Sequence, residues 1–183
     1  ILIKQMKALK FKFNINVIDI NYKFLNQLNN QKINIINVDY AQKKIFEDIS
    51  IKSNIYIDKC FKIALEIMKK NRYTKIINGP ISKKYFLRNK HLGVTEYLAK
   101  LTNTKKFAML IYNKKLSVSP ITTHLPLKNV HKHITKKKIQ DHVKLIETFY
   151  NRVLKKKPKI AITGLNPHCE SNFKTSEEDR III

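Results

Sequence analysis

The sequence predicts an α/β fold in which helices flank a mixed sheet. Short runs rich in Ile and Val alternate with longer segments whose apolar residues recur at helical spacing. Two of these runs are separated only by Asn113 to Lys115, which favours a hairpin and therefore an antiparallel pair in the sheet. The 183 residues, 43% of them hydrophobic, suffice for one domain with a core. The sequence contains no run of about 18 apolar residues, so it predicts no membrane-spanning helix.

The individual elements follow from this pattern in chain order. A helix end is expected at the start, where Leu2, Met6 and Leu9 have helical spacing. The expected strands are Ile15–Ile20, Ile33–Val38, Lys75–Asn78, Phe107–Tyr112, Leu116–Ile121 and Ile160–Thr163. The expected helices are Tyr22–Leu28, a helix capped by Ser53 or Asn54 and ending near Arg72, Ser82–Arg88, Thr95–Leu101, His131–Lys155 and a last helix that begins near Ser176.

The domain organisation is expected to be one partial α/β unit over residues 1–183, with a candidate lobe boundary near residue 75. The sequence starts at Ile1 without an initiator Met and stops in the apolar run Ile181–Ile183. We therefore interpret the chain as the middle of a longer protein, and we expect the fold to be incomplete at both ends.

The net charge of +24 is the most unusual property of the composition. Clustered lysines would indicate a nucleic acid or another polyanion, but here Lys, Asn and Ile are abundant in nearly every segment. We interpret most of the charge as solvated surface whose positive field can attract a small anionic substrate. We therefore expect neither a nucleic-acid partner nor a membrane partner.

The two cysteines are too few for a disulfide framework, which fits a reducing cytoplasm. Cys60 lies among helical apolar residues and is expected to be a small buried hydrophobe. Cys169 directly follows a histidine, so it is either a soft metal ligand or a loop cysteine without a role.

Two histidines each follow an apolar run that predicts a buried strand. His124 belongs to the motif TTHLPL (residues 122–127), and His168 ends the motif GLNPH (residues 164–168). Ligands of open α/β sheets bind at the carboxyl ends of strands. Two imidazoles delivered there could hold one divalent metal, which polarises a substrate oxygen. Each histidine alone also fits a hydrogen-bonded structural role.

Two histidines do not complete a metal site, because catalytic zinc commonly has three protein ligands. The remaining histidines are expected on the surface and are poor candidates for the third ligand. His142, for example, faces outward if Ile139 and Val143 face inward on the long predicted helix. The other three are His91, His131 and His133.

Two further motifs carry candidate binding residues. NGPISK (residues 78–83) combines a strand end, a tight turn and a helix start, where N–H groups and Lys83 could receive an anion. An ordinary strand-to-helix turn fits this motif equally well. In GVTE (residues 93–96), Thr95 either caps its helix or contacts a substrate. With only three glycines, the chain can build neither a dinucleotide fingerprint nor a Walker loop.

Taken together, these motifs resemble the 4-hydroxythreonine-4-phosphate dehydrogenase family of pyridoxal phosphate biosynthesis. The resembling segments are NGPI with Lys83, GVTEYLA (residues 93–99), TTHLPL and GLNPH, and they have the order and spacing of the family. The resemblance runs from about Asn78 to the chain end and is weaker before it.

The resemblance implies a homodimer with a fold like that of the isocitrate and isopropylmalate dehydrogenases. It also implies NAD and a divalent metal (zinc, cobalt or magnesium), with His124 and His168 as two of three metal ligands. Thr95 would touch the substrate, a small phosphorylated hydroxy-amino acid. The metal would bind the substrate hydroxyl while hydride passes to NAD. The resulting β-keto acid would then lose carbon dioxide and leave an amino-ketone phosphate.

The sequence departs from the family pattern at three places. Val94 stands where the family usually has a substrate-binding histidine, and a valine side chain cannot form a hydrogen bond. Cys169 to Ser171 replace an Ala-Gly-Glu segment. The third metal histidine and most of the NAD site belong to segments beyond residue 183, so we expect the chain to be inactive alone. We predict no catalytic residue besides the metal ligands.

Three hypotheses of function follow. The first is the metal-dependent and NAD-dependent dehydrogenase of 4-hydroxythreonine 4-phosphate. The second, prompted by Val94, is a family relative that acts on a different hydroxy-acid phosphate. The third, prompted by the charge of +24, is a basic binding protein without enzymatic activity, which should bind nucleic acid with a steep dependence on salt.

Overall fold

The structure is a computed structural model and describes residues 1–20, 24–88 and 90–165. The chain forms two compact units, Ile1–Asn89 and Lys90–Ile183. Within the described residues, no helix is both long and apolar enough to cross a lipid bilayer.

The first unit begins with helix α1 (Leu2–Ala8) and a pair of short parallel strands. Strand β1 (Ile15–Ile18) pairs in register with strand β2 (Ile33–Ile36), and the two are joined by a crossover that contains a 3-10 turn at Phe24–Gln27. The predictions of a helix at the start and of strands beginning at these two positions are confirmed. A crossover of this kind is required because a tight turn can join only antiparallel strands.

Helix α2 (Asn54–Asn71) is the longest element of the first unit and begins where the sequence predicts. The hydroxyl of Ser53 donates to the carbonyl oxygen of Ser50 (3.0 Å), so it does not cap the helix. The helix ends at Asn71, and the capping residue that follows, Arg72, adopts a left-handed conformation. Its buried Phe61 stacks on Phe86 with ring centroids 6.1 Å apart. Phe86 ends helix α3 (Lys83–Phe86).

Cys60 on α2 is half-buried, in keeping with its expected place among apolar residues. Burial raises the pKa of its thiol. The thiol is therefore protonated at neutral pH and behaves as a small packing group.

The second unit contains helices α4 (Val94–Leu101), α5 (Leu127–Val130) and α6 (Lys136–Phe149). A π-helical turn at Tyr150–Leu154 extends α6. The hydroxyl oxygen of Thr135 accepts a hydrogen bond from the Lys138 amide (3.2 Å) and so caps α6.

The prediction of one long helix over His131–Lys155 is wrong at the N-terminal end of that range. Residues 131–133 form a separate 3-10 turn, and Thr135 is extended (φ −135°, ψ 150°). The hydroxyl of threonine can form hydrogen bonds with nearby backbone groups in place of helical hydrogen bonds. Threonine therefore favours the start of a helix over its interior. The helical pattern therefore resumes only after residue 135.

Several predicted strands are not formed within the described residues. Residues 75–78 and 160–163 have no strand pairing, and Ile77 is 97% exposed. The predicted hairpin of residues 107–121 is reduced to one antiparallel bridge between Ile111 and Val118. The expected mixed sheet is thus represented by a parallel pair and a single antiparallel bridge. The physical reason is that an apolar run becomes a strand only where a neighbouring backbone supplies hydrogen bonds.

Candidate active site

Two of the predicted motifs meet at the start of α4. Gly93 precedes the first turn of the helix with an extended backbone. A Cβ atom placed on Gly93 would lie 2.8 Å from Glu96 Oε2 and 3.6 Å from His124 Nε2. The hydroxyl of Thr123 donates to Glu96 Oε1 (3.3 Å). The GVTE and TTHLPL motifs, nearly thirty residues apart in the chain, therefore form one cluster of polar side chains.

His124 has an exposed side chain on a left-handed backbone (φ 57°). This conformation costs a residue with a Cβ atom roughly 1 kcal/mol, because Cβ approaches the carbonyl oxygen. No hydrogen bond engages the imidazole among the described residues, so its nitrogens remain open to a ligand. A strained residue with an open imidazole is typical of a functional position.

Thr95 and Glu96 line a cleft of about 380 Å³ in the second unit. Thr122 and Thr123 also line this cleft, whereas His124 lies beside it next to Gly93. Val94 is half-buried in the first turn of α4. The cleft thus offers three threonine hydroxyls and the carboxylates of Glu96 and Asp141, which can bind a small polar molecule.

Charged residues of α6 and of residues 105–106 line the cleft together with Glu96. Lys106 Nζ and Asp141 Oδ1 are 2.8 Å apart, and both residues line the cleft. The hydrogen bond from Lys106 lowers the pKa of the Asp141 carboxyl. Asp141 is therefore ionised at neutral pH and offsets the charge of Lys106. Lys105 and Lys138 also line the cleft, so its balance remains positive.

The position of His142, which lines the cleft, differs from the one that the sequence pattern predicts. We expected it on the surface, but it is only 9% exposed and lies in the wall of the cleft. It shares the inner face of α6 with Ile139, three residues earlier. That spacing is a signal in the sequence, but Val143 gives an equally regular apolar face that excludes His142.

The prediction that the other histidines lie on the surface holds for two of the three that the structure describes. His131 and His133 are exposed, as expected. His91 is half-buried, and its ring packs edge-on against the buried Tyr97 with centroids 5.5 Å apart. A packing partner of this kind gives His91 a structural role at α4.

Comparison with known proteins decides the family. The sequence matches the family described as pyridoxal phosphate biosynthetic protein PdxA over residues 1–183. The chain belongs to the PdxA family. This confirms the resemblance to 4-hydroxythreonine-4-phosphate dehydrogenases that the motifs indicate.

Individual members of the PdxA family agree with this assignment. A 4-hydroxythreonine-4-phosphate dehydrogenase of Sulfurihydrogenibium sp. is 34% identical over 186 residues, which cover 97% of this chain and 56% of the relative. A D-threonate 4-phosphate dehydrogenase of Salmonella typhimurium is 29% identical over 155 residues, which cover 82% of this chain and 47% of the relative. The chain therefore spans about half the length of these curated relatives. Both relatives are named as dehydrogenases.

A solved structure supports the fold of the PdxA family for this chain. The crystal structure of a 4-hydroxythreonine-4-phosphate dehydrogenase from Klebsiella pneumoniae superposes with a TM-score of 0.81 at 24% identity. The match covers 99% of this chain and 57% of that protein. At this level of identity the likeness establishes the fold alone.

Two predicted site residues of this PdxA-family chain are not among the residues that form this cluster in the described part of the second unit. Lys83 is exposed at the first position of α3 in the first unit. His168 lies outside the described residues, as does Cys169. Within the part of the chain that is described, no group of three His, Cys, Asp or Glu side chains is close enough to hold a metal ion.

Proposed function

We propose that the whole protein oxidises 4-hydroxythreonine 4-phosphate with NAD and a divalent metal, and that the product loses carbon dioxide to give an amino-ketone phosphate. Membership of the PdxA family and the name of the Sulfurihydrogenibium relative support the reaction. The structural observation that carries the proposal is the approach of both His124 and Glu96 to Gly93. Thr95, the proposed substrate contact, lies on the first turn of the same helix.

His124 and His168 are the proposed metal ligands in this chain. The described residues fit a metal in part, because His124 has an open imidazole and the Glu96 carboxylate lies beside the same glycine. A third ligand would come from elsewhere in the whole protein, since three ligands are common at catalytic sites. A bound divalent metal would polarise the substrate hydroxyl, and NAD would accept the hydride.

The chain's own residues would bind and orient the substrate. The hydroxyl of Thr95 can donate to or accept from a substrate oxygen in the cleft. Lys105 and Lys138 give the cleft a positive balance, which attracts a phosphorylated acid. Lys83 is proposed as a further anion contact. Val94 contributes only apolar contact, so a neighbouring group must supply any hydrogen bond needed there.

Oxidation of D-threonate 4-phosphate is the second candidate function. It is favoured by Val94 and by the Salmonella relative named for that substrate. The two substrates differ at the second carbon, which carries an amino group in one and a hydroxyl group in the other. The group that contacts this carbon therefore decides between them, because a buried polar contact discriminates strongly against a ligand that leaves it unpaired.

Other properties of the whole protein are proposed on the sequence pattern or on the resemblance. They are a cytoplasmic homodimer, a fold like that of the isocitrate and isopropylmalate dehydrogenases, and a lobe boundary near residue 75. The alternative of a basic protein without enzymatic activity has only the charge of +24 in its favour.

The test uses the full-length protein with both phosphorylated acids and follows NADH formation. We expect turnover that stops when a chelator removes metal and returns with zinc, cobalt or magnesium. His124→Ala should lower kcat/KM at least a hundredfold, because ligand loss removes the proposed electrophile. His131→Ala is the matched control, since this exposed histidine lies outside the cleft. Full activity of His124→Ala would contradict the ligand assignment.

A further inference from the structure

His142 has an environment that an ordinary surface or core position does not provide. It lies on α6 and is 9% exposed, and it lines the same cleft as Thr95 and Glu96. All three residues belong to the second unit. A ligand held by Thr95 within this cleft of about 380 Å³ is therefore within the same enclosure as the imidazole of His142.

The hydrogen bonding of the ring fixes its tautomer and direction. Nδ1 of His142 lies 3.1 Å from the carbonyl oxygen of Lys138, one turn earlier on α6. A carbonyl oxygen only accepts, so Nδ1 must carry the hydrogen and donate it. Nε2 lies on the other side of the ring, away from that backbone carbonyl. In the neutral imidazole Nε2 is then an acceptor, and no described residue donates a hydrogen bond to it.

Nε2 is not among the fully buried polar atoms that lack a partner, so it keeps contact with the cleft that His142 lines. A leucine or valine at the same place would fill this helix face without a ring nitrogen that needs a hydrogen-bond donor. The imidazole fits this place if a molecule in the cleft completes its hydrogen bonding. The competing explanation is structural, in which the Lys138 contact alone accounts for the histidine.

We propose that His142 is a further substrate-binding residue, whose Nε2 accepts a hydrogen bond from a hydroxyl or ammonium group of the phosphorylated hydroxy acid in the cleft. The inference rests on the proposed function, since it names a contact of the same site. His142 does not take part in holding the metal, and its contact is made equally before and during the reaction. Its loss should therefore raise KM and leave kcat nearly unchanged.

The test compares two amide replacements in the full-length protein. His142→Gln places an amide near the position of Nε2, whereas His142→Asn is shorter and can still donate to the Lys138 carbonyl. His131→Asn is the matched control on an exposed histidine outside the cleft. We expect His142→Asn to raise KM for 4-hydroxythreonine 4-phosphate or D-threonate 4-phosphate about tenfold, as for one lost hydrogen bond. His142→Gln should restore most of the affinity.

The outcomes separate this inference from the proposed function. If the unmodified protein turns over neither phosphate, the proposed function and the inference both fail. If it turns over substrate and His142→Asn has the KM of His131→Asn, only the inference fails. An equal rise of KM in His142→Asn and His142→Gln would also overturn the acceptor role. Thermal unfolding of each variant verifies folding, and His142→Phe provides a second variant without an acceptor.

Discussion

The hydroxyl of Thr123 donates a hydrogen bond to the carboxylate of Glu96, with 3.3 Å between Oγ1 and Oε1. The other carboxylate oxygen lies against Gly93, where the imidazole of His124 also approaches. One acidic side chain thus holds the start of α4 against the segment that carries His124. The position of the proposed metal ligand therefore depends on Glu96, although Glu96 itself is not among the predicted ligands.

Replacing Thr123 by valine should destabilise the protein by about 1 kcal/mol, since it removes one hydrogen bond at a half-buried site. Valine keeps the shape of threonine, so packing is preserved. The measurement is the free energy of unfolding in urea. Thr123→Ser keeps the hydroxyl and is the control. Equal stabilities of the valine and serine variants would contradict a contribution from the Glu96 contact.

Gly93→Ala should displace the Glu96 side chain, because the new Cβ would lie 2.8 Å from Oε2. Backbone conformation does not oppose the change, since Gly93 is extended. The displaced atom is the end of a flexible side chain, so we expect a destabilisation of only about 1 kcal/mol, as for loss of the hydrogen bond between Thr123 and Glu96. Gly79→Ala is the matched control, because a Cβ there meets no atom within 4 Å. The melting temperatures of both variants test this, and similar values would refute the close contact at Gly93.

His124→Gly should be more stable than His124→Ala by about 1 kcal/mol, because only glycine adopts φ 57° without cost. Both variants lack the imidazole, so both should lose activity that depends on a metal. Chemical denaturation measures the first effect and NADH formation the second. An alanine variant as stable as the glycine variant would show that the left-handed backbone is not strained.

The ion pair of Lys106 and Asp141 should stabilise the protein only above acidic pH. Its hydrogen bond lowers the pKa of Asp141 in the folded state below the ordinary value of 3.8. The folded state then binds fewer protons than the unfolded state between these two pKa values. Stability from this pair is therefore complete above the unfolded pKa and is lost as the pH falls through the folded pKa.

The experiment compares Asp141→Asn with the unmodified protein in urea at neutral pH and well below pH 3.8. The stability difference should be present at neutral pH and vanish in acid. Glu147→Gln, an exposed acid on the same helix, is the control and should show a much smaller difference at either pH. A difference for Asp141→Asn that persists in acid would contradict the pairing.

The sequence by itself determined the family of the protein and those helices that have strong local signals. Asn54 to Asn71 and Val94 to Leu101 form helices close to the predicted residues, because helical hydrogen bonds are local and depend on neighbouring residues alone. The motifs around Thr95 and His124 indicate the PdxA family from the amino-acid sequence alone.

Only the tertiary structure decided which side chains meet and which apolar runs become strands. Residues 160–163 have a strand pattern but no pairing, since a strand needs a partner that its own sequence does not specify. The same holds for His142, whose place depends on which of two helix faces another segment covers. The contacts of Glu96 with Thr123 and Gly93 likewise arise from chain folding, because residues distant in sequence meet only through packing.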